Sequence, residues 1–125
     1  MSIRWFRLLS KVAYYIKTVK KAEEFFARNN WKPFPFQKKV WKSYAEGKSG
    51  LVHAPTGTGK TYAVWTPTLL EWMSEQKGKE MPKRAPQLRV LWLTPLRALV
   101  EDTTRTLEEL SEGLGLPWNI QSRTG

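Results

Sequence analysis

The chain has 125 residues, 41% hydrophobic and 13% aromatic, with 21 Lys/Arg against 11 Asp/Glu for a formal charge of +10. That length and apolar content suit one small domain, or part of a larger one, with a real core, and exclude a disordered tail. With no cysteine and a single histidine, His53, disulfide frameworks and Cys/His zinc sites are excluded, and the composition fits a cytoplasmic protein.

Residues 3–21 place Trp5, Leu8, Leu9, Val12, Ile16 and Val19 at helical spacing, with Arg4, Arg7, Lys11, Lys17, Lys20 and Lys21 on the opposite face. Such a basic amphipathic helix docks its apolar stripe on the rest of the protein, lies on a membrane, or binds an anion. It forms a first expected unit, residues 1–21, ahead of a second, residues 22–125. The charge is concentrated here: residues 1–50 carry 12 Lys/Arg against 3 Glu, net +9, and residues 51–125 carry 9 against 8, net +1. A basic front half suits a polyanionic partner, nucleic acid before membrane, unless acidic residues elsewhere balance it. Arg7, Lys11 and Lys17 interrupt any secretory signal core, and no stretch approaches the ~18 apolar residues of a membrane span.

The helical pattern continues through "KKAEEFFARNN" and stops at Asn29 and Asn30. Pro33 and Pro35 make "WKPFPFQ" irregular. A second helix is expected over residues 37–45, with Val40, Trp41 and Tyr44 inward and Gly47 at its end. "SGLVHA" reads as a buried strand. A third helix is expected over residues 60–76, bent at Pro67. "KGKEMPKRAPQ" is a loop whose Lys77, Lys79, Lys83 and Arg84 are solvated. "LRVLWLT" reads as a second buried strand, and residues 96–112 as a helix with Leu96, Leu99 and Val100 in the core, closed by Gly113 or Gly115. "WNIQSR" is expected to begin a third strand. This order predicts an α/β fold, a parallel sheet with covering helices.

Between the first strand and the third helix stands "APTGTGKT". A phosphate loop needs a strand to deliver it, glycines that turn backbone N–H groups inward, and a helix whose positive end faces the anion. Ala54, Pro55, Thr56, Gly57, Thr58, Gly59, Lys60 and Thr61 meet those needs. Lys60 is placed to reach the β- and γ-phosphates of ATP, and the Thr61 hydroxyl to ligate Mg2+. Thr56 and Thr58 supply backbone donors. Ala54 replaces the customary first glycine where the chain leaves the strand. His53, at the strand end, is expected to pack beneath the loop.

"APTGTGKT" resembles motif I of superfamily-two helicases, in which alanine is usual at the first position. Thr94-Pro95-Leu96-Arg97-Ala98-Leu99 resembles their motif Ia, and Gln37, 17 residues before Ala54, stands where they carry an adenine-reading glutamine. With "FFARNNWKPFPFQ" and Arg123-Thr124-Gly125, the chain from about Ala22 onward is similar to the Lhr-type, ligase-associated DEXH helicases. The resemblance implies the N-terminal part of a RecA-like P-loop domain and ATP-driven unwinding of DNA, with DNA favoured over RNA. It also implies work in DNA repair, with a DNA ligase or another repair protein as partner. On it, Gln37 pairs with the adenine amine and N7, with Trp31 or Phe34 near the base or in the core. Thr94, Pro95 and Arg97 hold a nucleic-acid phosphate.

Hydrolysis in that superfamily needs a carboxylate pair after a later strand. The one aspartate here, Asp102, lies in "LVEDTTRTL" and is followed by Thr103, while Glu108 and Glu109 read as a solvated face. The 125 residues alone are therefore expected to bind ATP without turning it over. Two rivals are a different P-loop ATPase of AAA type, which would favour "PPGTGKT" and lack "TPLRAL", and a nucleotide- or nucleic-acid-binding fragment without turnover.

Overall fold

The computed structural model describes residues 3–76 and 78–125, and for residues 3–12 and 14 the backbone alone. Among the described residues the regular structure is helical: α1 (Ile3–Arg28), α2 (Pro35–Ala45), α3 (Lys60–Glu75), a 3-10 turn (Arg97–Leu99) and α4 (Val100–Gly113). The chain divides into two compact units, Met1–Lys79 and Glu80–Gly125.

In the first unit α1 runs unbroken past residue 21. Asn30 ends it with φ +57°, a left-handed conformation that asparagine tolerates, and the Trp31 N–H donates to the Phe26 carbonyl at 2.8 Å. The expected stripe at Trp5, Leu8, Leu9 and Val12 and the basic face at Arg4, Arg7 and Lys11 lie outside the described side chains, and Lys77 lies outside the described residues. Farther along, the buried stripe is Thr18, Ala22, Phe25 and Phe26 at three- and four-residue spacing; Ile16 falls beside it and is exposed.

Helix α2 starts at Pro35, two residues before the expected start, because a proline in the first turn forfeits no helical hydrogen bond. Trp41 is buried against the core, as its place on the inward face requires. Tyr44 donates its hydroxyl to Glu71 Oε2 on α3 at 2.8 Å. Helix α3 is apolar on most of its circumference and buries Trp65, Leu69, Leu70, Trp72 and Met73. Such a helix needs neighbours on more than one side, and both α1 and α2 pack on it. It continues through Pro67, which has no N–H to offer the Ala63 carbonyl. Phe26 meets Phe25, Trp31, Trp41 and Tyr62 edge-on, at centroid distances of 5.7–6.1 Å. Each such pair adds about 0.5–1.5 kcal/mol beyond its area of burial.

In the second unit α4 begins at Val100, after the 3-10 turn, and buries Leu107, Leu110 and Ser111. Gly115, at φ +70°, closes it, with its N–H on the Glu112 carbonyl at 2.8 Å.

The expected strands differ. Among the described residues "SGLVHA", "LRVLWLT" and "WNIQSR" form no ladder, so the parallel sheet is not present there. Leu51 is 92% exposed, Leu88 87% and Leu93 81%, where buried strands were expected. A strand takes its backbone partners and much of its burial from neighbouring strands; without them its apolar side chains stay in water. His53 is exposed for the same reason. Leu96 and Leu99, expected in the core, are also exposed: Leu96 precedes the 3-10 turn and Leu99 ends it, both ahead of the buried face of α4.

Candidate nucleotide-binding site

The loop that follows residue 54 is shaped by two glycines in the left-handed region, Gly57 at φ +78° and Gly59 at φ +82°. Side chains with a Cβ resist that conformation by about 1–2 kcal/mol each. Gly59 is the N-cap of α3, and no side chain caps the helix there. The Ala63 N–H is taken by the Gly59 carbonyl at 3.0 Å. The N–H groups of Lys60, Thr61 and Tyr62 open the helix ahead of it, at the end where the dipole favours an anion. Thr58 Oγ1 donates to the Pro55 carbonyl at 2.6 Å, tightening the turn. Lys60 Nζ donates to the Ala54 carbonyl at 2.6 Å, folding the ammonium over the loop. Lys60 and Thr61 are both half-buried on the first turn of α3.

Gln37 is only 2% exposed. Its Oε1 accepts from the Phe34 N–H at 2.8 Å, the reach-back half of a capping box at the start of α2. Its Nε2 donates to the Gly59 carbonyl at 3.0 Å. The amide thus clips the α2 N-terminus to the end of the glycine loop, a role the sequence did not announce. One N–H and one lone pair of the amide remain beyond these two bonds. A Cβ built on Gly59 would meet Gln37 Nε2 at 2.6 Å, so this glycine answers to its neighbour as well as to its φ.

Trp31 is half-exposed although it touches Phe25, Phe26 and Tyr62. Phe34 is exposed and stacks on Phe36, with centroids 6.1 Å apart and planes 19° from parallel. In the second unit Thr94 is half-buried, Pro95 exposed, and Arg97 exposed on the first residue of the 3-10 turn. Asp102 is exposed on α4 and pairs with Arg105 at 3.4 Å. Glu108 and Glu109 are exposed, as expected of a solvated face.

Residues 34–125 match the model of the DEAD/DEAH box helicase family. The chain belongs to that family. It is 40% identical over 81 residues to nucleolar RNA helicase 2-B of Xenopus laevis, covering 65% of this chain and 10% of that protein. It is 33% identical over 82 residues to the Lhr helicase/probable uracil glycosylase of Mycolicibacterium smegmatis, covering 66% of this chain and 5% of that protein. It is 34% identical over 91 residues to the ATP-dependent helicase Lhr-Core of Methanocaldococcus jannaschii, covering 72% of this chain and 10% of that protein. The chain therefore spans a tenth or less of the length of these relatives. No solved structure matches it.

Membership of the DEAD/DEAH box helicase family implies an α/β, RecA-like architecture, of which the described residues show the helices and no sheet. The matched residues include the glycine loop and "TPLRAL" together, which sets the AAA-type reading aside. The loop residues fit a nucleoside triphosphate. The α3 N-terminus lacks a side-chain cap, two left-handed glycines free the backbone to curve, and a lysine and a threonine open the helix.

Proposed function

We propose that this chain is the nucleotide-binding front part of an ATP-driven DNA helicase or translocase of the Lhr-type, ligase-associated branch, working in DNA repair. The observation that carries the ATP site is the uncapped α3 N-terminus beneath a loop with two left-handed glycines, held in register by Gln37. In this reading Lys60 leaves the Ala54 carbonyl for the β- and γ-phosphates. The backbone of Ala54, Pro55, Thr56, Gly57, Thr58 and Gly59 cradles them, and Thr61 holds Mg2+. ATP and Mg2+ would supply the free energy and the charge neutralisation of phosphoryl transfer. Gln37 reads adenine with its remaining N–H and lone pair, and Trp31 and Phe34 lie close enough in sequence to flank the base. Thr94, Pro95 and Arg97 hold a phosphate of the nucleic acid. The segments around Leu51 and Leu91 take places in the parallel sheet of the RecA-like domain. A DNA ligase or another repair protein is the partner this branch suggests.

The choice of DNA rests on the "FFARNNWKPFPFQ" to "TPLRAL" resemblance and on the Lhr relatives. The likeness to an RNA helicase of Xenopus laevis points the other way. Competition of unlabelled single-stranded DNA and RNA of one sequence against a labelled DNA, with a non-hydrolysable ATP analogue present, separates them. Displacement by DNA at lower concentration than RNA supports the proposal, and the reverse order overturns its DNA assignment.

A further inference from the structure

Helices α1 and α2 carry an exposed run of lysines that the nucleotide site does not use. Lys17, Lys20 and Lys21 lie on α1, and Lys38, Lys39 and Lys42 on α2, all exposed. The two helices are tied at two points, by the Tyr15 hydroxyl on the Trp41 carbonyl at 2.8 Å and by Lys38 Nζ to Glu23 Oε1 at 2.6 Å. Lys20 stands one turn before Glu23 on α1, and Lys42 one turn after Lys38 on α2. The ion pair therefore sits within the lysine cluster and neutralises only one of its charges. Glu24 is the other carboxylate of α1, and Glu46 is taken by Lys48.

Lys17–Lys20, Lys17–Lys21 and Lys38–Lys42 are like charges at three- and four-residue spacing. Each such pair destabilises its helix by a few tenths of a kcal/mol. An external polyanion would relieve that repulsion. A bilayer surface is the poorer candidate, because insertion needs an apolar helix face. Among the described side chains of α1, Ala22, Phe25 and Phe26 are already buried, with α3 packed on the helix, and Ile16 is the one large apolar residue left exposed.

We infer that this lysine face is an accessory track for a nucleic-acid backbone, separate from the contact proposed at Thr94, Pro95 and Arg97, which belong to the other compact unit. The inference rests on the nucleic-acid reading above and adds a second place of contact. It gives affinity without sequence preference, since lysines here meet phosphates and not base edges.

The test is a salt titration of the 125-residue chain on a labelled single-stranded oligonucleotide, read by anisotropy between 50 and 200 mM salt. It compares the parent with Lys17→Gln/Lys20→Gln/Lys21→Gln, Lys39→Gln/Lys42→Gln and Arg97→Ala. Circular dichroism and ATP-analogue affinity verify that each variant is folded. Each lost phosphate contact lowers the slope of log K against log salt by about 0.7 on single strands. The triple variant should lose about two units of slope and on the order of a hundredfold in affinity near 0.1 M salt. Loss of slope in both lysine variants supports the inference. Unchanged slopes there, with a lower slope in Arg97→Ala, overturn it and leave the proposed function standing. No binding by the parent overturns both. Lysine-dependent binding to phosphatidylserine vesicles, with oligonucleotide affinity unaffected, assigns the face to a membrane and also overturns it.

Discussion

The Gln37 side chain and the Gly59 carbonyl meet at 3.0 Å across 22 residues of sequence. The same carbonyl accepts the Ala63 N–H, and the same amide accepts the Phe34 N–H, so one buried side chain registers α2, the glycine loop and α3 together. Gln37→Ala would remove the acceptor of the Phe34 N–H and one of the two donors to the Gly59 carbonyl, at a cost of about 1–3 kcal/mol for the two bonds together. Affinity for ATP should fall about tenfold or more, and affinity for GTP should fall as well but by less. Parallel titrations with fluorescent ATP and GTP analogues check this. A loss confined to ATP would reduce Gln37 to a reader of adenine, and no loss at all would remove both roles.

Gly59→Ala tests the same contact from the other side. The new Cβ would sit 2.6 Å from Gln37 Nε2, and φ +82° is strained for alanine. The variant should lose roughly 1–2 kcal/mol of stability from the backbone alone, measured by urea unfolding. Gly57→Ala, with nothing within 4 Å of its Cβ, should cost the backbone strain and no more. Equal losses at the two glycines would show that Gln37 does not press on Gly59.

Tyr15 predicts a response to alkali. Burial first, and then the neighbouring Tyr44 and Glu71, raise its ionisation above the usual value of 10.0. The unfolded chain therefore releases this proton at lower pH than the folded one. The hydroxyl's contribution is whole below about pH 10 and is lost as the pH climbs past it. Tyr15→Phe should cost about 0.5–1.5 kcal/mol at pH 8 through the lost bond to the Trp41 carbonyl. Its urea midpoint should then decline less between pH 8 and pH 11 than that of the parent. Identical declines would mean that Tyr15 ionises as freely in the fold as outside it.

The features legible in the sequence are those written in a few adjacent residues. Asn30, Gly47, Gly57, Gly59 and Gly115 all take positive φ, and the helix ends and the loop fall where they stand. Trp41 is buried as the helical period requires. The strands fared otherwise because burial of Leu51, Leu88 and Leu93 depends on distant neighbours, and an apolar run of four to seven residues carries no record of whether a partner pairs with it. The Gln37 clip was hidden for a similar reason, since spacing alone does not reveal that an amide and a carbonyl 22 residues apart will meet.

The 125-residue chain should bind ATP without turning it over. Its one aspartate, Asp102, is exposed and paired with Arg105 on α4, and Glu108 and Glu109 are likewise exposed there. Among the described residues no three His, Cys, Asp or Glu gather to hold a metal ion. Steady-state phosphate release, with and without single-stranded DNA, should stay at background. Release abolished by Lys60→Ala would reveal a carboxylate acting where none has been placed.

Lys60 is the residue on which the triphosphate site most directly depends, its Nζ lying 2.6 Å from the Ala54 carbonyl at the first turn of α3. A charge-assisted hydrogen bond is worth about 1.5–3 kcal/mol, which corresponds to roughly ten- to hundredfold in affinity. Titration of a fluorescent ATP analogue with Mg2+ into the parent and into Lys60→Ala, both verified as folded by circular dichroism, measures it. The variant should lose at least about tenfold in affinity, with helicity unchanged. Equal affinity in the two folded proteins would contradict this, because the glycine loop would then not be the triphosphate site.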